Sequence, residues 1–246
     1  MVSSVDPVSV ARHISTSGVK GTDGLVVVVD VIRAFSTAAY AFGAGASRIY
    51  LVASVDEALA FKRAHTGSVA MGEEHGLRPE GFDLPNSPVM AAAFDMDGRT
   101  VVQRTSAGTQ GVVAASSATR LWCASLVCAS ATATAVNAAE LGAPTYVITG
   151  WLVDRPDRPG ADDRLTAEYI ESIRLDAPTD RSEVAERVAS SDEATLTLAL
   201  GSDHCHPDDI KLAVDVDKFS FAMEVTRDEF GLRLDRVDQP SDRSRC

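Results

Sequence analysis

Four polar clusters follow strand-like stretches of this 246-residue sequence: Asp30 with Arg33, Glu73 with Glu74, Arg104 through Thr109, and the Asp162–Asp163 pair. Carboxylates gathered without matching histidines or thiols suit a hard cation with oxygen ligands, of which Mg²⁺ is the best match. The Thr105-Ser106-Ala107-Gly108-Thr109 turn offers hydroxyls, a flexible glycine and the first amides of a helix, a combination suited to an oxyanion. Together with Arg33 or Arg104, these are the minimal parts for stabilising charge in phosphoryl transfer. Each part also has a bland counterpart. Asp30 is a good helix N-cap, Glu73-Glu74 is a solvated loop, and a Thr/Ser/Gly turn often only caps a helix.

The elements that must position these groups are legible as strand followed by helix. Leu25-Val26-Val27-Val28-Val29 is an apolar, β-branched run of the kind a strand buried on both faces requires, and Asp30 ends it. A helix-compatible stretch runs from Ala34 to Phe42, and Arg48 to Val52 reads as a strand. Ser54-Val55-Asp56-Glu57 is a capping box opening a helix to about His65. Ser68 to Met71 and Arg99 to Gln103 are further strands. Between them Ser87 is placed to cap a helix that starts at Pro88.

Leu121 to Cys123 and Thr145 to Thr149 complete the strand set before the last third, with an Ala-rich helix from Ala131 to Leu141 between them. A Pro/Asp-rich loop, Asp154 to Asp163, leads into an amphipathic helix ending near Ile173. Farther on, Glu183 to Ala189 and Pro207 to Val214 read as helices, and Thr195 to Leu200 suits a strand or a helical turn. Phe221 to Arg227 and Leu232 to Val237 form a terminal hairpin. The pattern predicts a three-layer α/β/α fold with a mostly parallel or mixed sheet, whose strand ends gather the four clusters along one edge. Residues 1–238 are expected to form one domain, followed by a polar tail, 239–246.

Composition narrows the partners. A net charge of −12 argues against nucleic acid and anionic membrane surfaces, because no basic face is available to displace counterions. No apolar run is long enough to span a bilayer, and Met1 to Val10 lacks the pattern of a secretory signal. The four cysteines show no zinc-type pairing, so reduced thiols and a cytoplasmic location are expected. Asp203-His204-Cys205-His206 is read as a loop entering a helix rather than a zinc site, because adjacent residues seldom all reach one ion. Cys123 is read as a small buried hydrophobe rather than a nucleophile. Homo-oligomerisation is left open by the sequence.

Several short motifs occur in register. Asp30-Val31-Ile32-Arg33-Ala34 with Ser36-Thr37, then Gly72-Glu73, then Gly81-Phe82-Asp83 with Asn86-Ser87-Pro88, then Thr105-Ser106-Ala107-Gly108-Thr109 have the order and spacing of the 2-phosphosulfolactate phosphatase family. The sequence resembles that family from about Val26 to Val136, and more loosely through Asp162-Asp163 and the Gly201…Asp209 region. The resemblance implies a Mg²⁺-dependent phosphatase that converts 2-phosphosulfolactate to sulfolactate and phosphate, a step towards coenzyme M. It departs at Pro85, where the family usually has Gly, and at Ala107 and Gln110, where the family usually has Asn and Arg. Asp162 stands where the family usually has Glu.

On this basis Asp30, Arg33, Glu73 and Asp83 are the expected catalytic residues, with Asp83 or Glu74 as proton acceptor. Asp30, Glu73 and Asp163 are the expected Mg²⁺ ligands. Arg104, Thr105, Ser106, Gly108, Thr109, Asn86 and Ser87 are expected to bind a small anionic phosphate ester. The alternatives are a phosphatase of another small anionic monoester, or a catalytically impaired relative that binds a phosphorylated metabolite. A haloacid-dehalogenase-type enzyme is disfavoured, since its Asp-x-Asp would need a carboxylate at Ile32.

Overall fold

Strand and helix alternate along most of the computed structural model, which describes residues 11–154 and 158–238. The expectations for Met1 to Val10 and for the tail from Gln239 lie outside those residues. In order the elements are β1 (Arg12–Ser15), β2 (Leu25–Val29), α1 (Ala34–Gly43), β3 (Arg48–Leu51), α2 (Val55–Ala64), β4 (Val69–Gly72), β5 (Leu84–Pro85), α3 (Pro88–Ala93), β6 (Thr100–Arg104) and α4 (Gly108–Ala114). There follow β7 (Arg120–Ala124), α5 (Ala129–Ala138), β8 (Thr145–Ile148), α6 (Ala161–Arg174), α7 (Arg181–Ala189), α8 (Asp192–Leu198), α9 (Asp209–Ala213), β9 (Phe221–Asp228) and β10 (Gly231–Asp238).

Local signals explain several boundaries. The Ser54 hydroxyl accepts from Glu57 N while the Glu57 carboxylate accepts from Ser54 N, the reciprocal box that starts α2. Ser87 caps α3 by accepting from Met90 N, with Pro88 in the first turn where a missing N–H costs nothing. Thr195 to Leu200 falls largely within helix α8, which Ser191 caps. The short strands β1 and β5 carry no sequence signal of their own and form by pairing with β8 and β4.

The ten strands make one sheet in the order β1-β8-β2-β7-β9-β10-β3-β6-β4-β5. β1, β8, β2 and β7 are mutually parallel, as are β3, β6, β4 and β5. The hairpin β9–β10 joins the two sets and is antiparallel to both neighbours. The fold is thus α/β with a mixed, mostly parallel curled sheet. The C-terminal hairpin, however, lies at the sheet's centre, and the two parallel halves run in opposite senses.

A flat sheet of this order would place the carboxyl ends of β2 and β4 at opposite edges. Six strand-to-strand steps separate them. At roughly 20–25° of twist per step, the accumulated rotation is roughly 120–150°, enough to bring the two ends round towards one place. Curling is visible in the core. Val26 and Val28 of β2, Ile49 and Leu51 of β3 and Val69 and Met71 of β4 share one buried cluster with Phe35, Ala38 and Phe42 of α1. The alternate residues face outward to other helices: Val27, Val29 and Tyr146 to a cluster with α5 and α6, and Tyr50, Ala70 and Val102 to one with α2. The helices therefore cover both faces, as the strand pattern predicts.

Candidate active site

Asp30 leaves β2 buried, 5% exposed, at the start of α1. Its Oδ1 accepts from Ala34 N at 2.8 Å, and the start of α4 packs against it at Gly108. The N-cap of α1 is Arg33 rather than Asp30, but the Asp30 carboxylate still takes the first helical amide and lies against the start of α4. Gly108 has to be a glycine for this approach. A Cβ there would lie 2.7 Å from both Asp30 Oδ2 and Ala34 Cβ.

Asp163 stands behind Asp30. Its Oδ1 accepts from Val31 N at 2.8 Å, and its Oδ2 accepts from Gly150 N at 2.8 Å, so it fastens β2's exit to β8's exit. Thr149 Oγ1 lies 3.0 Å from both Asp163 Oδ2 and Val29 O. One hydroxyl proton cannot serve two acceptors, so the arrangement has room for a proton on Asp163 with Thr149 donating to Val29 O. The energetics agree. Burial pushes Asp163 up to about 8, with the Asp30 charge adding to the effect. Burial also pushes Asp30 up to about 6, where the bond from Ala34 N opposes the rise and the Glu73 charge supports it. Asp162, beside them in the first turn of α6, is raised by burial and by Asp163 and Glu193. These carboxyls titrate together, and the site holds more negative charge than its own cations offset.

Glu73 follows β4 and reaches the loop after β6. Its carboxylate accepts from Ser106 N, from Ser106 Oγ at 3.0 Å and from Gly76 N at 2.6 Å. The two strands come together closely because Gly72, at φ 138°, has no side chain. A Cβ there would sit 1.9 Å from Arg104 O. Arg33 projects from the other side. Its Nη1 contacts Asp209 Oδ2 and His204 O, each at 2.9 Å, with the ion pair nearly sealed from water. The Ile32–Arg33 peptide is cis. Asp209 also accepts from Ser87 Oγ at 2.6 Å and from Val89 N and His206 N, so it is fully engaged as the anchor of Arg33.

These groups surround a cavity of about 560 Å³. Asp30, Arg33, Glu73, Asn86, Ser106, Ala107 and Thr149 line it, together with Leu152 and Arg158 from the loop after β8 and Glu193, Leu196 and Leu200 from α8 and its end. Asn86 is buried with its Oδ1 unpartnered. The lining from the loop after β8 and from helix α8 is what the sequence expectations missed. Only the position of Thr149-Gly150 at a strand end could have pointed there.

Several expected site residues are held elsewhere. Asp83 does not line the cavity: it pairs with Lys62 at 2.6 Å and accepts from Ala70 N, an anchor between α2 and β4. Glu74, the other expected proton acceptor, pairs with Arg104 at 3.1 Å, away from the cavity lining. Arg104 spends its guanidinium on that pair, on Glu73 O and on Ser106 Oγ. Thr105 and Thr109 bond reciprocally, each amide donating to the other's hydroxyl. Ser87 is the α3 cap and a donor to Asp209.

The amides of Thr105, Ser106 and Thr109 thus serve acceptors of the chain itself. Gln110 likewise turns away, its Nε2 donating to Ala53 O and Thr105 O. Asp163 does not line the cavity, and its oxygens accept from Val31 N and Gly150 N. Among the described residues no three His, Cys, Asp or Glu side chains form a group able to hold a metal ion. Mg²⁺ does not need one, because it commonly binds through one or two carboxylates plus waters and substrate phosphate. The all-oxygen donors at the cavity wall, the excess negative charge around Asp30 and the free Asn86 Oδ1 fit such an ion.

Cys123, Cys128 and Cys205 are buried and unbridged, and burial raises all three thiols. No helix among the described residues is long and apolar enough to cross a membrane.

Comparison with known proteins bears on this geometry. A Bacillus subtilis (strain 168) protein named "Probable 2-phosphosulfolactate phosphatase" is 39% identical over 147 residues, 60% of this chain and 62% of its own. A protein of the same name from Thermus thermophilus is 40% identical over 166 residues, 65% of this chain and 68% of its own. One from Prochlorococcus marinus is 29% identical over 191 residues, 76% of this chain and 75% of its own. The chain thus spans somewhat under two thirds of the Bacillus relative's length. The family model described as 2-phosphosulpholactate phosphatase matches residues 11–226, which take in every wall of the cavity, and the chain belongs to that family.

Proposed function

We propose that this protein hydrolyses 2-phosphosulfolactate to sulfolactate and phosphate in a Mg²⁺-dependent reaction. The observation that carries the reading is the single cavity into which Asp30 and Arg33, from the β2–α1 junction, and Glu73, after β4, converge in a chain matched to this family over residues 11–226. A cavity of about 560 Å³ suits a small ester and not a polymer.

Asp30 and Glu73 are the proposed metal ligands, with Asn86 Oδ1 as a neutral third donor. When bound there, the ion would polarise the phosphoryl oxygens and lower the pKa of a coordinated water. Arg33, fixed by Asp209, supplies positive charge against the phosphoryl group. Asp163 and Gly108 hold the Asp30 carboxylate in place. Leu152, Leu196 and Leu200 limit water in the cavity. In the reaction the water oxygen bonds to phosphorus, the bond from phosphorus to the ester oxygen breaks, and the sulfolactate hydroxyl takes up the proton.

The test is phosphate release from 2-phosphosulfolactate by protein stripped with a chelator, then resupplied with Mg²⁺. Release that returns only with Mg²⁺ is expected. Full activity in the stripped protein would refute the metal assignment. Release from phospholactate at an equal rate would replace the sulfonate ester by small phosphorylated acids in general. Binding without release would mark the chain as a non-catalytic relative.

A further inference from the structure

The cavity is lined by two arginines, and they are not equivalent. Arg33 is nearly sealed and balanced by Asp209, so its charge serves the reacting end. Arg158, from the loop after β8, lines the same cavity partly exposed, and its guanidinium has no carboxylate partner among the described residues. That is unusual in a chain of net charge −12, where most cations near the sheet edge are already paired.

The position of Arg158 is also built. Leu152 N donates to Arg158 O at 3.0 Å, and Trp151 bridges to Pro159, so Arg158 is paired to the chain just after β8. Its base is held by Gly150 N donating to Asp163, the residue that braces Asp30. For a small ester whose phosphate sits by Arg33 and Asp30, Arg158 is the other arginine lining the same cavity.

We infer that Arg158 receives the anionic group that is not cleaved, a sulfonate or carboxylate, and so sets the preference for multiply anionic esters; the inference rests on the phosphatase reading above. A planar guanidinium fits such an oxyanion through two parallel hydrogen bonds, which an ammonium cannot reproduce. Arg158 acts on binding rather than on the bond that breaks.

The experiment compares Arg158→Ala and Arg158→Lys with the native protein on 2-phosphosulfolactate and on glycerol 2-phosphate, which carries no second anion. The alanine variant should lose at least tenfold more kcat/KM on the former, through KM, with partial recovery in the lysine variant. Equal losses on both substrates, or none on either, overturn the inference. Calorimetric titration with sulfolactate separates it from the activity. Should the native protein release no phosphate, a Kd for sulfolactate weakened at least tenfold by Arg158→Ala still supports the assignment. An unchanged Kd, or no binding to the native protein, overturns it.

Discussion

Replacing Gly108 by alanine gives a direct test of the Asp30–α4 contact. The new methyl would stand 2.7 Å from Ala34 Cβ and 2.7 Å from Asp30 Oδ2. Carbon atoms pack at roughly 3.5–4.0 Å, so the start of α4 must retreat by about 1 Å. The overpacking costs about 1–3 kcal/mol, and alanine's better helix propensity returns up to about 1 kcal/mol. A net loss of about 0–3 kcal/mol lowers Tm by about 0–12 °C in a chain of this size. The retreat also moves Asp30 relative to Glu73 and the cavity, and a misplacement near 1 Å costs on the order of a hundredfold in rate. Gly111→Ala is the matched control. Its methyl would crowd Val28 Cγ1 at 2.8 Å and Thr149 Cγ2 at 2.9 Å, without touching Asp30. Phosphate-release kinetics and Tm should therefore separate the two variants: similar small losses of stability, but a much larger loss of kcat/KM for Gly108→Ala. If Gly108→Ala keeps kcat/KM within roughly threefold of native, less than about 0.7 kcal/mol, the contact does not position the chemistry.

Arg33→Ala should lower kcat/KM more than tenfold, above roughly 1.4 kcal/mol, and should also leave Asp209 buried and unpaired. That second effect costs about 3–5 kcal/mol, seen as a large drop in Tm; unchanged stability would remove Asp209 as the anchor. Asp83→Asn breaks a pair that is 31% exposed on each side, so stability should change by less than about 1 kcal/mol and kcat/KM should stay near native. A collapse of activity would return Asp83 to the site. Without divalent cations, the native state keeps protons on Asp163 and Asp30 that the unfolded chain has lost above its ordinary carboxylate range. The stability they confer is complete below about pH 4 and drains away as pH rises through about 6 to 8. Tm should fall between pH 5 and pH 8.5, and Asp163→Asn should flatten that fall; a native Tm that climbs over this range would contradict the buried charge described here.

Much of the site was legible because its carboxylates end strands. The run Leu25 to Val29 can only be a buried strand, so Asp30 had to stand at its mouth, and the same logic found Glu73 after β4. The commitments of the loop after β6 were not legible. Ser106 N looks free in sequence because its acceptor, Glu73, lies far away in the chain. Asp162 and Asp163 read as the end of a loop, yet α6 already begins at Ala161 and carries them inward as braces. Arg158 gave no signal because its loop is shaped by Leu152 N and the Trp151–Pro159 bridge rather than by local propensity. The hairpin was recognised, but its place between β7 and β3 depends on pairings that no local pattern encodes.

That central hairpin also bears on how the chain is made. β9 and β10 emerge from the ribosome after every other strand, although each joins one of the two halves to the other. Until Phe221 to Asp238 has been synthesised, β7 and β3 present open edges, and the twist that brings Asp30 to Glu73 has no continuous sheet to act through. Loss of the last strands would therefore part the sheet in the middle instead of trimming its rim. From the completion of β8 at Ile148 until the hairpin begins at Phe221, the nascent chain must hold two edge-exposed halves apart, the stage at which chaperones at the ribosome exit would matter most to its yield.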